Sequence, residues 1–342
     1  VLWGAVVANS SERGIRTAGN SSPHMIWDGF CVSNNVSDGF NLWTDTTVQN
    51  CWIISNNIAG STLGCGIVVS GATATNTVVR WNRIEGNGPA PDSGNSNTNL
   101  THGMYISGAN SRIYGNLVLN NPGHGINYFS QSSGSYQWNT HIYENIKAGN
   151  NVKAGIGVAG AEVDYTSGGI NPGTNYVYNN TILDGLFIWY GTCYVSNNII
   201  LPSTSDPGNP LYVYGSYPPT VVGNYNFGTN SVLDNGTPGS MTAGSGTVVS
   251  NISRLYLHPG ASSHRYWLTS TSPCLSRASG AYFTENWFGR ATGTVSVPKR
   301  DIGAHDYRYQ LEVDQRDLSS IRNGPWLLPP LPYNINSTLV SS

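Results

Sequence analysis

VRWN at residues 79–82 is the first of a series: IYGN follows at 113–116, IYEN at 142–145, VYNN at 177–180, VSNN at 195–198 and VVGN at 221–224. Each phrase has a β-branched residue, two variable positions and an Asn, and then leads into another apolar run. Self-similarity at tens of residues indicates a solenoid, in which a repeat buries its apolar face only by stacking on its neighbours. The intervals between Asn82, Asn116, Asn145, Asn180, Asn198 and Asn224 are 34, 29, 35, 18 and 26 residues, so no helical repeat of fixed length fits. Fixed strands joined by loops of variable length do fit. The flanking runs GIVVSG (66–71), GMYISG (103–108), GINYFS (125–130), GIGVAG (155–160) and GLFIWYG (185–191) each open a short alternating β stretch with Gly. Two such stretches per repeat, bent at Asn or Gly, describe one rung of a parallel β-helix. Stacked rungs place Val, Ile and Leu inward and the six Asn at a corner. There each amide can bond the one above and below, and Asn and Gly tolerate the left-handed backbone of a sharp bend.

These phrases resemble the secreted right-handed parallel β-helix repeat proteins, the pectin-lyase-like superfamily of pectin-active enzymes, phage tailspikes and bacterial surface proteins. The resemblance covers about residues 20–307. LTSTSPCLSRASG (268–280) followed by RDIGAHDY (300–307) is similar to the closing segment of bacterial members. It implies an all-β chain forming a single-stranded right-handed solenoid over residues 1–307, with the closing segment at about 268–307. Residues 308–342 follow as an extended Pro-rich tail.

Composition agrees with an elongated solenoid and excludes several functions. Charged residues are 10% of the 342, against about a quarter in ordinary globular proteins, while 41 Gly and 39 Asn fill the loops. With a net charge of −2 and no Lys/Arg cluster, nucleic-acid binding is not expected. No run of 18 apolar residues is long enough for a membrane span. The chain starts Val1-Leu2-Trp3, with neither Met nor signal peptide, and reads as a processed mature form or a fragment, with export expected either way. An extracellular or cell-surface location is the expectation.

Five Cys show no CxxC spacing, so a zinc site is not indicated. Cys31 and Cys51 each precede an apolar-S-N-N run, which makes them either buried small hydrophobes or a disulfide between adjacent coils. Sequons occur at Asn9, Asn20, Asn35, Asn99, Asn179, Asn235, Asn251 and Asn336, about the number chance supplies in a chain so rich in Asn, Ser and Thr.

The strongest hint of chemistry is GHG at 123–125, which resembles a motif of β-helix polygalacturonases. Their inverting hydrolysis needs one carboxylic acid and one carboxylate flanking the glycosidic bond. NVSDGF (35–40) is similar to their first acidic segment, with Asp38 as its acid. Where the family carries an Asp pair, this chain has Cys65-Gly66, and no Arg-x-Lys follows His124. His102 and His124 precede a Gly in equivalent positions and are expected on successive coils, as a sugar or metal pair or as corner residues bonded to backbone. A third metal ligand is not evident, and no cofactor is implied. The acids of the middle coils are scattered, unlike the calcium-holding cluster of a pectate lyase. Strand alternation over VVRWNRI (78–84) places Arg80 and Asn82 on one face and Trp81 and Arg83 on the other.

The 10 Trp and 20 Tyr fill internal columns or an outer face suited to glycans or partners. In the tail, Trp326, Leu327, Leu328 and Leu331 require burial, either on the chain's own coils or on the next copy. With the uncapped first coil at Val1, Leu2 and Trp3, they suggest head-to-tail self-assembly. The sequence therefore reads as a secreted, non-catalytic structural or adhesive β-helix, a subunit of a filament, sheath or surface layer. The alternative is a polysaccharide lyase or hydrolase, or a tailspike-like glycan-binding β-helix, with Asp38, His102, His124 and Glu144 as candidate catalytic residues.

Overall fold

A computed structural model describes residues 2–3, 5–17, 24–59, 64–70, 74–89, 101–128, 139–150, 156–158, 174–188, 192–201, 211–213, 220–224, 227–228, 240–243, 248–249, 272 and 274. Its strands fall into three sheets, each strand pairing in parallel with its counterpart one turn earlier and one turn later. The first sheet runs Leu2–Trp3, Met25–Asp28, Thr46–Gln49, Val78–Arg80, Arg112–Tyr114, His141–Tyr143, Thr174–Tyr178, Thr192–Ser196, Thr220–Asn224, Ser240–Ala243. The second runs Val6–Ala8, Cys31–Ser33, Trp52–Ile54, Arg83–Glu85, Leu117–Leu119, Ile146–Ala148, Thr181–Ile182, Ile199–Ile200, Phe227–Gly228, Val248–Val249. The third runs Ile15–Arg16, Phe40–Leu42, Ile67–Val69, Met104–Ile106, Ile126–Tyr128, Ile156–Val158, Leu186–Ile188, Leu211–Val213. One strand from each sheet, in that order, makes a coil. This is a parallel β-helix, and among the described residues ten coils contribute to the first sheet.

Each coil carries three strands rather than the two expected. The two short strands on either side of the Asn read in sequence as one stretch, because only two residues separate them. VVRWNRI is such a case. Trp81 turns the chain with φ 55°, so Val78–Arg80 and Arg83–Glu85 belong to different sheets and the alternation expected across 78–84 stops at the corner.

The core is a set of inward columns, one residue per strand. Val48, Val79, Ile113, Ile142, Val177 and Val195 line the first sheet, and all are fully buried. Val32, Ile53, Ile84 and Val118 line the second, where the column continues unexpectedly through Lys147 to Ile182. Trp27, Phe30 and Phe40 pack edge to face in the second coil.

Asn ladders hold two corners. At the first, Asn82, Asn116, Asn145 and Asn180 each donate their Nδ2 to the Oδ1 of the Asn one coil further on, at 2.9–3.0 Å, ending on Asn198. Asn224 does not belong to it. It pairs with Ser196, two residues before the ladder position of Asn198, because the chain keeps strand register rather than phrase register. The left-handed residue is also not the ladder Asn but the one before it: Trp81, Gly115, Glu144, Asn179 or Asn197. The second ladder, Asn35–Asn56–Asn87–Asn121–Asn150, ends on the carboxylate of Asp184. Its members lie five residues after those of the first, at 82/87, 116/121 and 145/150, a fixed spacing that the sequence displays.

The closing segment apart from Ser272 and Cys274, and the tail with Trp326, Leu327, Leu328 and Leu331, lie outside the described residues, as does Val1. Only the backbone of Leu2 and Trp3 is described.

Candidate functional site

Two outer surfaces carry the chemistry-bearing side chains. The first is the corner that leads into the third sheet. Its strands open with Gly39, Gly66, Gly103 and Gly125, and the residue before each Gly forms a column: Asp38, Cys65, His102, His124. Gly39 N–H donates to Cys65 O, Gly66 N–H to His102 O and Gly103 N–H to His124 O, which fixes the register. Gly is required because the coils nearly touch here. A Cβ at Gly103 would lie 2.5 Å from the Gly125 carbonyl oxygen.

Three of the four candidate residues thus share one corner. Asp38 is 3% exposed, and both its oxygens are occupied: Oδ2 pairs with Arg13 Nε at 3.0 Å and accepts Asn41 Nδ2, while Oδ1 accepts Cys65 N–H at 2.8 Å. Burial, with the Asp38 charge beside it, pushes the Cys65 thiol far up, so the thiol stays protonated; its sulfur accepts the His102 N–H at 3.4 Å. His102 Nδ1 accepts the His124 N–H at 2.9 Å, so the neutral ring carries its proton on Nε2. That nitrogen lies 3.0 Å from the Asn127 side-chain amide. The two imidazoles stack at 5.2 Å, with Tyr105 beside His102 and Phe187 beside His124. Phe187 belongs to the seventh coil and His124 to the fifth. The sixth offers only Gly157 between Asn127 and Phe187, and the Phe ring leans across that gap. Both His are buried corner residues.

Glu144 is apart from them. It occupies the left-handed position before Asn145 at the first Asn corner, with φ 54°, and is buried. Asp38 and Glu144 therefore do not flank a common cleft. Among the described residues no group of three or more His, Cys, Asp or Glu could hold a metal ion.

The second surface is the outer face of the first sheet, where two columns run side by side. One is Asp28, Gln49, Arg80, Tyr114, Tyr143, Tyr178; the other ends in Arg112, His141, Tyr176, Tyr194. Tyr114, Tyr143 and Tyr178 stack at 4.6 and 5.0 Å, and His141, Tyr176 and Tyr194 at 4.5 and 5.6 Å. Stacking along the solenoid axis hides the ring faces; Tyr114 and Tyr178 are buried, while Tyr194 is exposed. Tyr178 Oη meets His141 Nδ1 at 3.0 Å, and Arg80 Nη1 donates to Tyr114 Oη at 2.8 Å. Burial, and then the Arg112 charge, lowers the His141 pKa, so the ring is neutral near pH 7. Arg80 also lies 4.3 Å above the Trp81 ring, contrary to the opposite faces that alternation assigned them, because the corner folds Trp81 back. Arg83 faces away on the second sheet, over Trp52 and paired with Glu85.

Cys31 and Cys51 are both free thiols. Cys31 pairs in the ladder with Trp52, not Cys51, and its side chain lies on the outer face of its strand. Cys51 is buried at the first Asn corner, its sulfur bonded to Gln49 O, and burial raises its pKa to about 12. No disulfide joins them. Of the eight sequons, Asn35 and Asn179 are 1% exposed, and Asn35 Nδ2 is committed to Asn56, so neither amide is open to a glycan in the folded chain. Asn9 is exposed; Asn20, Asn99, Asn235, Asn251 and Asn336 lie outside the described residues.

No family model matches the chain, and no curated protein matches it. Among solved structures it is similar to the crystal structure of pectate lyase Pel9A, at 12% identity and a TM-score of 0.39, over 88% of this chain and 69% of that one. The fold assignment rests on the strand order of this chain itself. Among the described residues no helix is long and apolar enough to cross a membrane.

Proposed function

We propose that the chain is a non-catalytic, extracellular β-helix with a structural or adhesive role, and that it holds an acidic glycan on the outer face of its first sheet. The observation that carries this reading is the pairing on that face of two aromatic columns with Arg80 and Arg112, neither of which has a carboxylate partner among the described residues. Phenol hydroxyls and guanidinium groups spaced at the coil repeat suit a chain of hydroxyls and carboxylates, and Arg binds carboxylate in a bidentate fork. The commitment of Asp38 to Arg13, Asn41 and Cys65, and of Glu144 to a buried corner, supports a scaffold role for the carboxylates over an acid and base pair. Head-to-tail assembly of copies is part of the proposal and rests on the apolar segment that holds Trp326, Leu327, Leu328 and Leu331.

The test combines binding with product analysis. Polygalacturonate and alginate, with neutral xylan as control, are titrated against the wild type and against Arg112→Ala and Tyr194→Ala. Binding of an acidic polymer that weakens in salt and falls several-fold in either variant is expected, with no new reducing or unsaturated ends after prolonged incubation. New ends would establish the enzyme reading instead, and equal binding of xylan would remove the role of the arginines. Negative-stain images of the native protein test assembly, where regular fibres or rings are expected and dispersed single rods would end that part.

A further inference from the structure

Lys147 has no role in the surfaces above, and its position is unusual. It occupies the inward column of the second sheet, between Val118 and Ile182 in register, and is 0% exposed. Its Nζ has no hydrogen-bond partner. The side chain reaches across the coil toward the strand that opens at Gly125, where a Cβ would meet Cε and Nζ at 2.5 Å and Asn150 Nδ2 at 2.9 Å. Gly125 thus makes the room that the lysine fills.

The coil that follows carries a matching departure. At the end of the second ladder, where every earlier member is Asn, stands Asp184. Its Oδ1 accepts Gly149 N–H, and its Oδ2 accepts both Asn150 N–H and Asn150 Nδ2, at 3.0–3.1 Å. A lysine in the apolar column and a carboxylate in the amide ladder therefore occur together, once among the described residues, on adjacent coils.

We propose that the seam between the sixth and seventh coils is a protonation-operated junction: Lys147 lies neutral among apolar side chains, and on protonation its ammonium turns toward Asp184, competes with Asn150 for the carboxylate and loosens the seam. Of the groups packed around the amine, Asp184 supplies the charge. The strand Leu117–Leu119 and Thr181–Ile182 carry no titratable side chain, Tyr128 is held through its hydroxyl to Gly108 O and Thr140, and His124 lies at the outer corner against His102. Burial lowers the Lys147 pKa to about 7, and Asp184 partly opposes the shift.

The sign follows from the unfolded chain, where lysine titrates near 10.5. Below about 7 both states are protonated and the burial penalty is complete. Between about 7 and 10.5 the unfolded state binds the extra proton, so stability rises with pH across that window.

Chemical denaturation of the full chain at pH 6 and pH 9, for wild type and Lys147→Met, tests this. The unfolding constant of the wild type relative to the variant is expected to fall about a hundredfold between the two pH values. An unchanged ratio overturns the proposal. Hydrogen exchange on the wild type alone gives a local reading that does not depend on the variant folding. After correction for intrinsic rates, protection of the Thr181 and Leu183 amides, which donate to Asn145 O and Lys147 O, should drop at pH 6. That of Arg83 and Leu117, which donate to Cys51 O and Asn82 O in the third-to-fifth coils, should not. A uniform change along the solenoid, or none, overturns the local junction.

Discussion

A ladder asparagine satisfies more groups than its size suggests. Asn145 donates through Nδ2 to Asn180 Oδ1, Ile113 O and Tyr143 O, while its Oδ1 accepts both the backbone and the side-chain N–H of Asn116. Truncation leaves several buried polar atoms unsatisfied at once. Asn145→Ala is expected to cost about 3 kcal/mol, at the upper end for one buried polar group left unpaired, as measured by chemical denaturation. Asn224→Ala should cost about 1 kcal/mol or less, since that residue stands in a strand rather than at a ladder corner. Equal losses at the two positions would mean that the ladder adds nothing beyond a turn residue. The contrast marks what the sequence made legible. An Asn repeating in phase with apolar runs announces a stacked corner, but the phrase at 221–224 looks like its predecessors and is offset by two residues. Local pattern cannot report a register that is fixed by pairing with the coil beneath.

The elements show the same division between pattern and packing. The Gly before most third-sheet strands was visible in sequence, and the column Asp38, Cys65, His102, His124 lies one residue ahead of it. The separation of Glu144 from that column was not visible, because IYEN reads as a repeat of IYGN and gives no hint that its third residue bends the backbone at a different corner. The aromatic columns were legible as a surplus of Tyr and not as a face, since a ring at a strand position points in or out according to the corner before it. On that face His141 gives the element a pH dependence. Its folded pKa is depressed, so the neutral ring is favoured in the fold and the unfolded chain takes up the proton first. Stability is complete above the ordinary value near 6.5 and declines as pH falls through it. Thermal melts at about pH 5 and 7.5 should differ more for the wild type than for His141→Phe, which keeps the stack on Tyr176 without a titrating ring; an equal difference would place the acid sensitivity elsewhere.

At the scale of the whole molecule, contacts join each coil to the next through three parallel seams. Stability in such a chain is a sum over neighbours, and charge contributes little to it. Two ion pairs, Arg13 with Asp38 and Arg83 with Glu85, are made among the described residues, in a chain with 10% charged residues. Hydrogen-bonded amides and apolar columns are indifferent to ionic strength, so the melting temperature should move by no more than about 2 °C between 0.05 and 0.5 M NaCl, on the order expected for half-exposed pairs. A larger fall on adding salt would show that charges outside these pairs help to hold the coils.

The amide ladders also have a sense. In the second ladder every Nδ2 from Asn35 to Asn150 points toward the later coil and every Oδ1 toward the earlier one, so the side-chain dipoles add along the axis as peptide dipoles add along a helix. The positive pole of that column falls at Asp184, and a carboxylate terminates it, as an acidic residue does at a helix N-terminus. The negative pole, Asn35 Oδ1, receives the Ser10 N–H. The coils from Asn35 to Asp184 are thus polarised by neutral side chains, and two such columns meeting tail to head would attract where the same columns meeting head to head would repel.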